Sequence, residues 1–207
     1  MNYILKYLLG IFDYFTQKKV WKKINKLLGE NFSTLLDVGS HHGEYILGIK
    51  KNFNVKNIYG FEPNPVSFKM LKKNLIKFNE IKISNFGIGD LTESKILNQN
   101  IESSSSSINS LNQNSKYYKK KYFIFNFLKL KKVTNPINIK TIKLENFLKE
   151  QNIDKIDLLK IDTEGFVYEI LKGSKQSIKK IKMILVELHF SDLYGNHDPE
   201  KVHSYLI

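Results

Sequence analysis

Hydrophobic positions along the chain change their spacing near Ser33, and this change predicts two kinds of structure. Before Ser33, apolar side chains recur every three or four residues, in two groups separated by the polar stretch Thr16–Lys19. This spacing predicts two short amphipathic helices, because residues three or four apart share a helix face. We therefore expect a helical cap over residues 1–32. Reversible attachment of this cap to a membrane surface is an open alternative.

From Ser33 onward, short apolar runs alternate with helix-like segments, which is typical of an α/β domain. We expect this domain to cover residues 33–207. Strands separated by helices form parallel sheets with right-handed crossovers, so we predict a doubly wound, mostly parallel sheet. The predicted strands are Thr34–Val38, Asn57–Phe61, Ile81–Phe86, Lys155–Ile161 and Lys182–His189.

Single residues mark several helix boundaries. Asn64 is a predicted N-cap, because its side chain can accept a backbone hydrogen bond and Pro65 suits the first helical position. Gly173 is predicted to end the helix between the last two strands, as glycine commonly does. A helix is also expected from about Glu44 to Lys51, and another within the final stretch DPEKVHSYLI.

Residues 103–136 depart from the alternation of strands and helices. Five consecutive serines, Ser103–Ser107, are too polar to pack, and a basic, aromatic stretch follows them. We interpret residues 103–136 as an insertion. It is either a surface hairpin or a lid that binds an acceptor, because long loops near an active site often determine specificity.

The chain has a net charge of +13, but it contains no arginine, no alanine and no cysteine. Arginine binds phosphates and guanines through paired hydrogen bonds, so its absence argues against a nucleic-acid partner and favours a solvated lysine surface. Without cysteine there is no disulfide framework and no thiolate chemistry. Asp13 interrupts the apolar start, and no run reaches the roughly 18 residues of a membrane span. We therefore expect a cytoplasmic protein.

The first motif with candidate chemistry is LLDVGSHHGEYI. It places Asp37 near a strand end, and Gly39 and Gly43 then let the backbone approach a ligand closely. The glycine spacing is GxxxG, which differs from the GxGxxG of dinucleotide enzymes and argues against an NAD-binding oxidoreductase. The second motif, YGFEPNP, puts Glu62 at the next strand end. An acidic residue there accepts hydrogen bonds from both ribose hydroxyls of an adenosine ligand in Rossmann-like folds.

The third motif, IDLLKIDTEGFVYEILKG, places Asp162 and Glu164 just past a buried strand. Glu187 and His189 end the following predicted strand and share a face, because residues two apart in a strand point the same way. Ligands of open parallel sheets bind outside the carboxyl ends of the strands. The sequence therefore predicts a site that these four side chains surround.

The order of these motifs resembles the FkbM family of methyltransferases. The likeness covers residues 33–190, from DVGSHHGEY and FEPNP to IDLLKIDTEG and VELHF, and KIDTEG followed by LKG is its most distinctive part. It implies a Rossmann-like class I methyltransferase that uses S-adenosylmethionine and methylates a hydroxyl of a glycan or natural product. Because class I members usually continue into two more strands, we expect this C-terminal strand pair to be missing. A truncated or non-catalytic cofactor-binding module is the alternative function.

The resemblance also implies a role for each motif residue. The implied cofactor contacts are Asp37, Gly39, Ser40, His41 and Gly43 at the methionine end, Glu62, Pro63 and Asn64 at the ribose, and Gly87 and Ile88, with Asp90 nearby, at the adenine.

Asp162, which is also an implied cofactor contact, would lie near the transferred methyl group, with Glu187 and His189 near the acceptor. Asp162 and His189 are the candidate general bases. No metal ligands are assigned, although a divalent ion shared by Asp162 and Glu187 stays open. Enzymes that methylate base amino groups usually carry an Asn/Asp-Pro-Pro-aromatic run where this chain has DTEG. We therefore expect a small-molecule or glycan acceptor, not nucleic acid, and the oligomeric state is unassigned.

Overall fold

The computed structural model describes residues 17–99, 106–108, 112, 114–115, 119, 135–188 and 198–207. The described residues form a five-stranded sheet, a three-stranded sheet and the helices around them. The strands are β1 (Asn31–Val38), β2 (Asn54–Phe61), β3 (Ile81–Ser84), β4 (Gly87–Gly89), β5 (Glu93–Gln99), β6 (Asn135–Lys143), β7 (Ile156–Ile161) and β8 (Ile181–Val186). The helices are α1 (17–28), α2 (Glu44–Asn52), α3 (Pro65–Leu75), α4 (Leu144–Glu150), α5 (Val167–Gly173) and α6 (Pro199–Leu206), with a 3-10 turn at Ile178–Lys180.

The five-stranded sheet confirms the predicted α/β class and its doubly wound topology. Its strand order is β3-β2-β1-β7-β8, and every neighbouring pair is parallel. Both faces are covered, which explains why β1 and β7 read as nearly continuous apolar runs. Leu35 and Leu158 pack into one core with α1, α2 and α3, whereas Leu36 and Leu159 pack into another with α4, α5 and α6.

Two strand ends differ from the predictions. The third strand ends at Ser84 instead of Phe86, because the Asn85 side chain donates hydrogen bonds to the carbonyl oxygens of Glu62 and Pro63 and the chain bends there. The last strand ends at Val186. The predicted shared face of Glu187 and His189 is therefore not a strand face at Glu187, and His189 lies outside the described residues.

The three-stranded sheet was not predicted. Its order is β4-β6-β5, with β4 parallel and β5 antiparallel to β6. The strands β5 and β6 flank the predicted insertion, and most of residues 103–136 lies outside the described part of the chain. The sequences of β5 and β6 mix polar and apolar residues, so their local pattern did not predict strands. Their burial depends on pairing with distant residues and not on local periodicity.

Gly173 is the last residue of α5, as predicted, but for a different physical reason. It does not have the positive φ of a glycine cap. A Cβ there would lie 2.2 Å from the carbonyl oxygen of Gly89. The glycine therefore permits close contact between α5 and β4. Asn64, by contrast, caps α3 as predicted, accepting a hydrogen bond from the Val66 N–H at 2.9 Å.

The helix α1 packs directly on the larger sheet. Ile24 is fully buried and Leu28 is 9% exposed, and both belong to the core cluster of Leu35. Gln17, Lys18 and Lys19 are helical, so the predicted polar break does not hold for them. Residues 1–16 lie outside the described part, and their membrane attachment stays a prediction. Within the described ranges, no helix combines the length and apolarity needed to cross a bilayer.

Candidate active site

The glycine turn after β1 brings three strand ends together. The N–H groups of Gly39 and Ser40 both donate to the Phe61 carbonyl at 3.0 Å, and the Ser40 hydroxyl donates to the Asp37 carbonyl at 2.8 Å. Gly39 has a φ of 83°, and a Cβ there would lie 1.8 Å from the Asp162 carbonyl oxygen. Only glycine fits this contact. The turn is therefore fixed by backbone packing between β1, β2 and β7.

Glu62 follows β2 and is held in a single orientation. Its Oε2 accepts a hydrogen bond from the His41 N–H at 2.9 Å, and its Oε1 accepts one from the Asn64 N–H at 2.8 Å. The residue is 7% exposed. Burial raises the pKa of the Glu62 carboxyl to about 7, although the two N–H groups oppose this rise. A buried carboxylate at a strand end, oriented by backbone donors, is suited to accept hydrogen bonds from ligand hydroxyls.

Lys160 joins two of the predicted acidic residues. Its Nζ lies 3.1 Å from Oδ1 of Asp37 and 3.1 Å from Oδ2 of Asp162. The Asp37 side chain is fully buried, and the Lys160 side chain is 10% exposed. Burial lowers the pKa of Lys160, but the two carboxylates outweigh this effect, so the pKa lies above the ordinary lysine value. Burial raises the pKa of Asp37, and Lys160 opposes that rise only in part.

Sequence reasoning missed Lys160, although a signal was present. A lysine inside the apolar strand IDLLKI is unusual, because lysine is rarely buried without a partner. The partners themselves could not be read from the sequence, because Asp37 lies on β1, which pairs with β7.

These strand ends border a cavity of about 720 Å³, which is within the range of small-molecule sites. Five carboxylates, one lysine and one histidine are among its lining residues. This acidic wall contrasts with the net charge of +13 for the whole chain. The acidic lining residues are Glu44, Glu62, Asp162, Glu164 and Glu187.

Two buried hydroxyls at the cavity, Tyr45 Oη and Thr163 Oγ1, have no hydrogen-bond partner among the described residues. The Tyr45 ring lies 5.2 Å from the Trp21 ring, and the Lys160 ammonium lies 5.2 Å from its centroid. Buried polar atoms are usually satisfied. These hydroxyls therefore indicate that the cavity receives a polar ligand.

The opposite side of the cavity is formed by the residues after β7 and β8. Glu164 adopts a φ of 50°, and its carbonyl accepts a hydrogen bond from the Ser107 hydroxyl at 2.6 Å. Ser107 also forms a two-bond bridge with Asn98 of β5. Glu187 is exposed, and its N–H donates to the Ile161 carbonyl at 3.0 Å. The end of the serine run thus lies at the cavity, next to Asp162 and Glu164.

The cavity collects most of the predicted site residues. Its walls include ten of them: Gly39, Ser40, His41, Glu62, Pro63, Gly87, Ile88, Asp162, Glu164 and Glu187. Four others lie behind or beside its walls. Asp37 pairs with Lys160, Gly43 packs against Leu71, Asn64 caps α3, and Asp90 pairs with Lys172. The unpredicted lining residues include Gln17, Val20 and Trp21 of α1.

Residues 37–206 match the family described as "Methyltransferase FkbM domain". The chain belongs to the FkbM methyltransferase family. A solved member, "Methyltransferase FkbM" from Methylobacillus flagellatus, shares its fold with a TM-score of 0.50 at 16% identity, over 84% of this chain and 38% of that one. The family match covers the ends of β1, β2, β7 and β8, which line the cavity.

Two curated relatives carry more specific names. The "2-O-methyltransferase NoeI" of Sinorhizobium fredii is 21% identical, over 87% of this chain and 73% of its own length. The "Hexuronic acid methyltransferase AglP" of Haloferax volcanii is 26% identical, over 77% of this chain and 57% of its own length. This FkbM chain therefore spans between about half and three quarters of these relatives.

Proposed function

We propose that this FkbM-family chain transfers a methyl group from S-adenosylmethionine to a hydroxyl oxygen of a glycan or a small natural product. The observation that carries the proposal is Glu62, a buried carboxylate at the end of β2 whose two oxygens are oriented by the N–H groups of His41 and Asn64. The ribose diol of the cofactor offers two hydroxyl donors for such a carboxylate.

The other cavity residues fit the same cofactor. A sulfonium cation is stabilised by an acidic wall, and Asp162 and Glu164 provide one beside the glycine turn. Tyr45 Oη and Thr163 Oγ1 offer hydrogen bonds that no group in the described part of the chain takes. Gly87 and Ile88 form a small apolar wall beside Pro63, which fits the planar face of an adenine.

When bound, S-adenosylmethionine supplies an electrophilic methyl group on a sulfonium sulfur. The chain's own task is then to place an acceptor oxygen in line with that methyl group, and positioning of this kind supplies up to about 7–11 kcal/mol. Lys160 fixes the direction of the Asp162 carboxylate, so we assign Asp162 to orienting the acceptor hydroxyl. Removal of the hydroxyl proton needs a base, and we propose His189 or Asp162 for that role, with Glu187 holding the acceptor.

The named relatives support an oxygen acceptor on a sugar. One is called a 2-O-methyltransferase and the other a hexuronic acid methyltransferase. The acidic wall also disfavours a nucleic-acid acceptor, because phosphates would be repelled at the cavity.

Calorimetry with S-adenosylhomocysteine tests the proposed cofactor class, and the same titration with NAD⁺ is the comparison. We expect binding of one S-adenosylhomocysteine per chain and none of NAD⁺. Methyl transfer is then measured with labelled S-adenosylmethionine on a panel of neutral and acidic oligosaccharides, and mass spectrometry locates the added methyl. Failure to bind S-adenosylhomocysteine would overturn the proposal. Binding without transfer to any hydroxyl acceptor would favour the non-catalytic cofactor module.

A further inference from the structure

The loop between β1 and α2 carries a cluster of candidate metal ligands at the edge of the cavity, two of which, His41 and Glu44, also line it. His41 and His42 are adjacent, and Glu44 follows in the first turn of α2. Nδ1 of His41 lies 3.2 Å from Oε1 of Glu44, and Nδ1 of His42 lies 3.7 Å from the same oxygen. One oxygen and two imidazole nitrogens thus face a common point, with these three ligand atoms within 4.8 Å of one another.

Two backbone features bring the imidazoles to the same side of the loop. His41 has a φ of 48°, in the left-handed region that few histidines adopt. The two rings are consequently stacked, with centroids 3.7 Å apart and an interplanar angle of 21°. Adjacent residues in extended or helical backbone point in different directions, so this arrangement depends on the unusual conformation of His41.

The loop is also held in place from three directions. The His41 N–H donates to Glu62, the His42 carbonyl accepts from the Asn74 side chain at 2.9 Å, and the His42 N–H donates to Oε2 of Glu44 at 3.1 Å. Oε2 of Glu44 is therefore engaged by the backbone, while Oε1 faces both imidazoles. A site that is already ordered loses little conformational entropy when it binds an ion.

We propose that His41, His42 and Glu44 form a binding site for a divalent transition-metal ion of the Zn²⁺ class. Metal–nitrogen bonds of about 2.0–2.1 Å and metal–oxygen bonds of about 2.0–2.2 Å in tetrahedral geometry place ligand atoms roughly 3.3–3.5 Å apart. The observed separations from the shared oxygen, 3.2 and 3.7 Å, bracket this range. The ion takes the place of the proton that His41 shares with Glu44.

The donor set decides the class of metal. Two imidazoles and one carboxylate suit Zn²⁺, Co²⁺, Ni²⁺ and Cu²⁺, whereas Mg²⁺ and Ca²⁺ prefer sites made of oxygen alone. The His41 and His42 side chains are 25% and 30% exposed and that of Glu44 is 61% exposed, so the ion has access from solvent. Three protein ligands leave a fourth position open, which is the arrangement of exchangeable or catalytic sites.

The experiment uses the full chain, stripped with a chelator and free of cofactor, so it is independent of the proposed methyl transfer. Calorimetry with Zn²⁺ measures the affinity, and visible absorption with Co²⁺ reports coordination by the protein. We expect one site per chain, and at least tenfold weaker binding in both His42→Gln and Glu44→Gln. The control is His203→Gln, which removes an exposed histidine of α6 and leaves the cluster intact.

The variants are first compared with the wild type by circular dichroism and thermal melting, so that a loss of fold is not read as a loss of ligand. Binding that weakens in His42→Gln and Glu44→Gln but not in His203→Gln supports the site. Equal Zn²⁺ affinity in all four proteins would overturn the proposal, as would the absence of saturable binding in the wild type. Mg²⁺ binding that matches or exceeds Zn²⁺ binding would overturn the assigned metal class.

Discussion

At the carboxyl ends of β1 and β2, Asp37 is buried and paired with Lys160 and Glu62 is buried and held by backbone N–H groups, whereas Glu187 at the end of β8 is exposed. Glu62 is 7% exposed and Asp37 is 0% exposed. Glu187 is exposed, and β8 is only half buried along most of its length. We call the first region the cofactor side and the second the acceptor side, after the roles proposed for them. The burial of Asp37 and Glu62 predicts that the cofactor side tolerates little change, and the exposure of Glu187 predicts more tolerance on the acceptor side.

This difference follows from the position of each strand in the sheet. β1 and β7 have a hydrogen-bonded neighbour on both sides, and β8 pairs only with β7 among the described strands. Central strands keep their polar ends at fixed distances, because neither can move without breaking a ladder of hydrogen bonds. We therefore expect substitutions on the cofactor side to change stability and cofactor affinity, and substitutions on the acceptor side to change turnover.

The largest effect is expected from Gly39→Ala. The new Cβ would lie 1.8 Å from the Asp162 carbonyl oxygen, and the φ of 83° is strained for alanine. Overpacking and backbone strain each cost about 1–3 kcal/mol, so we expect a loss of about 2–6 kcal/mol in the free energy of unfolding. Urea denaturation measures this free energy. A variant that is recovered only as insoluble protein would be a more severe form of the same destabilisation.

Gly29→Ala is the matched control for the effect of backbone conformation alone. Gly29 has a φ of 79°, but a Cβ there meets nothing within 4 Å. We expect a loss of about 1–2 kcal/mol, the cost of the left-handed conformation. Equal losses in the two variants would show that contact between β1 and β7 does not determine the turn.

The second-largest loss of stability is expected from Lys160→Met. Methionine keeps most of the side-chain volume but leaves Asp37 and Asp162 without their shared cation. Breaking a buried ion pair by removing one partner costs about 3–5 kcal/mol. Lys172→Met is the control, because Lys172 pairs with Asp90 at 3.6 Å but is 62% exposed. We expect that change to cost about 0–1 kcal/mol. Similar urea midpoints for both variants would contradict a special role for Lys160.

These two comparisons also show what the sequence could and could not predict. Glycine turns, the Asn64 cap and the acidic strand ends are local signals, and the structure places Glu62 and Asp162 at the predicted cavity. Lys160 and the pairing of β5 with β6 depend on partners that are distant along the chain. Local periodicity carries no information about such partners.

The next effect concerns cofactor affinity. Glu62→Ala removes the carboxylate proposed to accept two ribose hydrogen bonds, each worth about 1.5–3 kcal/mol when charged. We expect S-adenosylhomocysteine binding to weaken by about 2–4 kcal/mol, measured by calorimetry. Glu187→Gln is the control from the acceptor side and should bind within threefold of the wild type. Unchanged affinity in Glu62→Ala would remove the main support for the proposed cofactor.

A smaller effect is expected for the two residues proposed to act on the acceptor. Asp162→Asn and His189→Ala should each lower turnover on the true acceptor at least tenfold, because both residues are proposed to act on the acceptor hydroxyl. S-adenosylhomocysteine affinity should stay within about threefold in both variants, which separates loss of catalysis from loss of cofactor binding. Normal turnover in both variants would place the catalytic centre elsewhere.

The last prediction is the pH dependence of cofactor binding, which tests Glu62 without changing the chain. Burial raises the pKa of this carboxyl to about 7. The ribose hydroxyls need the ionised carboxylate as acceptor, so affinity should fall as protons bind to Glu62. With a pKa of about 7, the ionised fraction drops from about nine tenths at pH 8 to about one tenth at pH 6. We expect S-adenosylhomocysteine affinity to fall up to tenfold over this range and to level off above pH 8.

His41 is a second titratable group beside Glu62, and its hydrogen bond with Glu44 raises the pKa of its imidazole. Glu62→Gln isolates the glutamate, since it keeps His41 but has no carboxyl at position 62. S-adenosylhomocysteine is the suitable ligand, because it lacks the sulfonium charge that a protonated His41 would repel. Calorimetry at pH 6, 7 and 8 should therefore give a steep profile for the wild type and a nearly flat one for Glu62→Gln. If the two proteins gave the same change of affinity with pH, the pH dependence would be assigned to His41. The pH measurement would then not support ribose binding by Glu62.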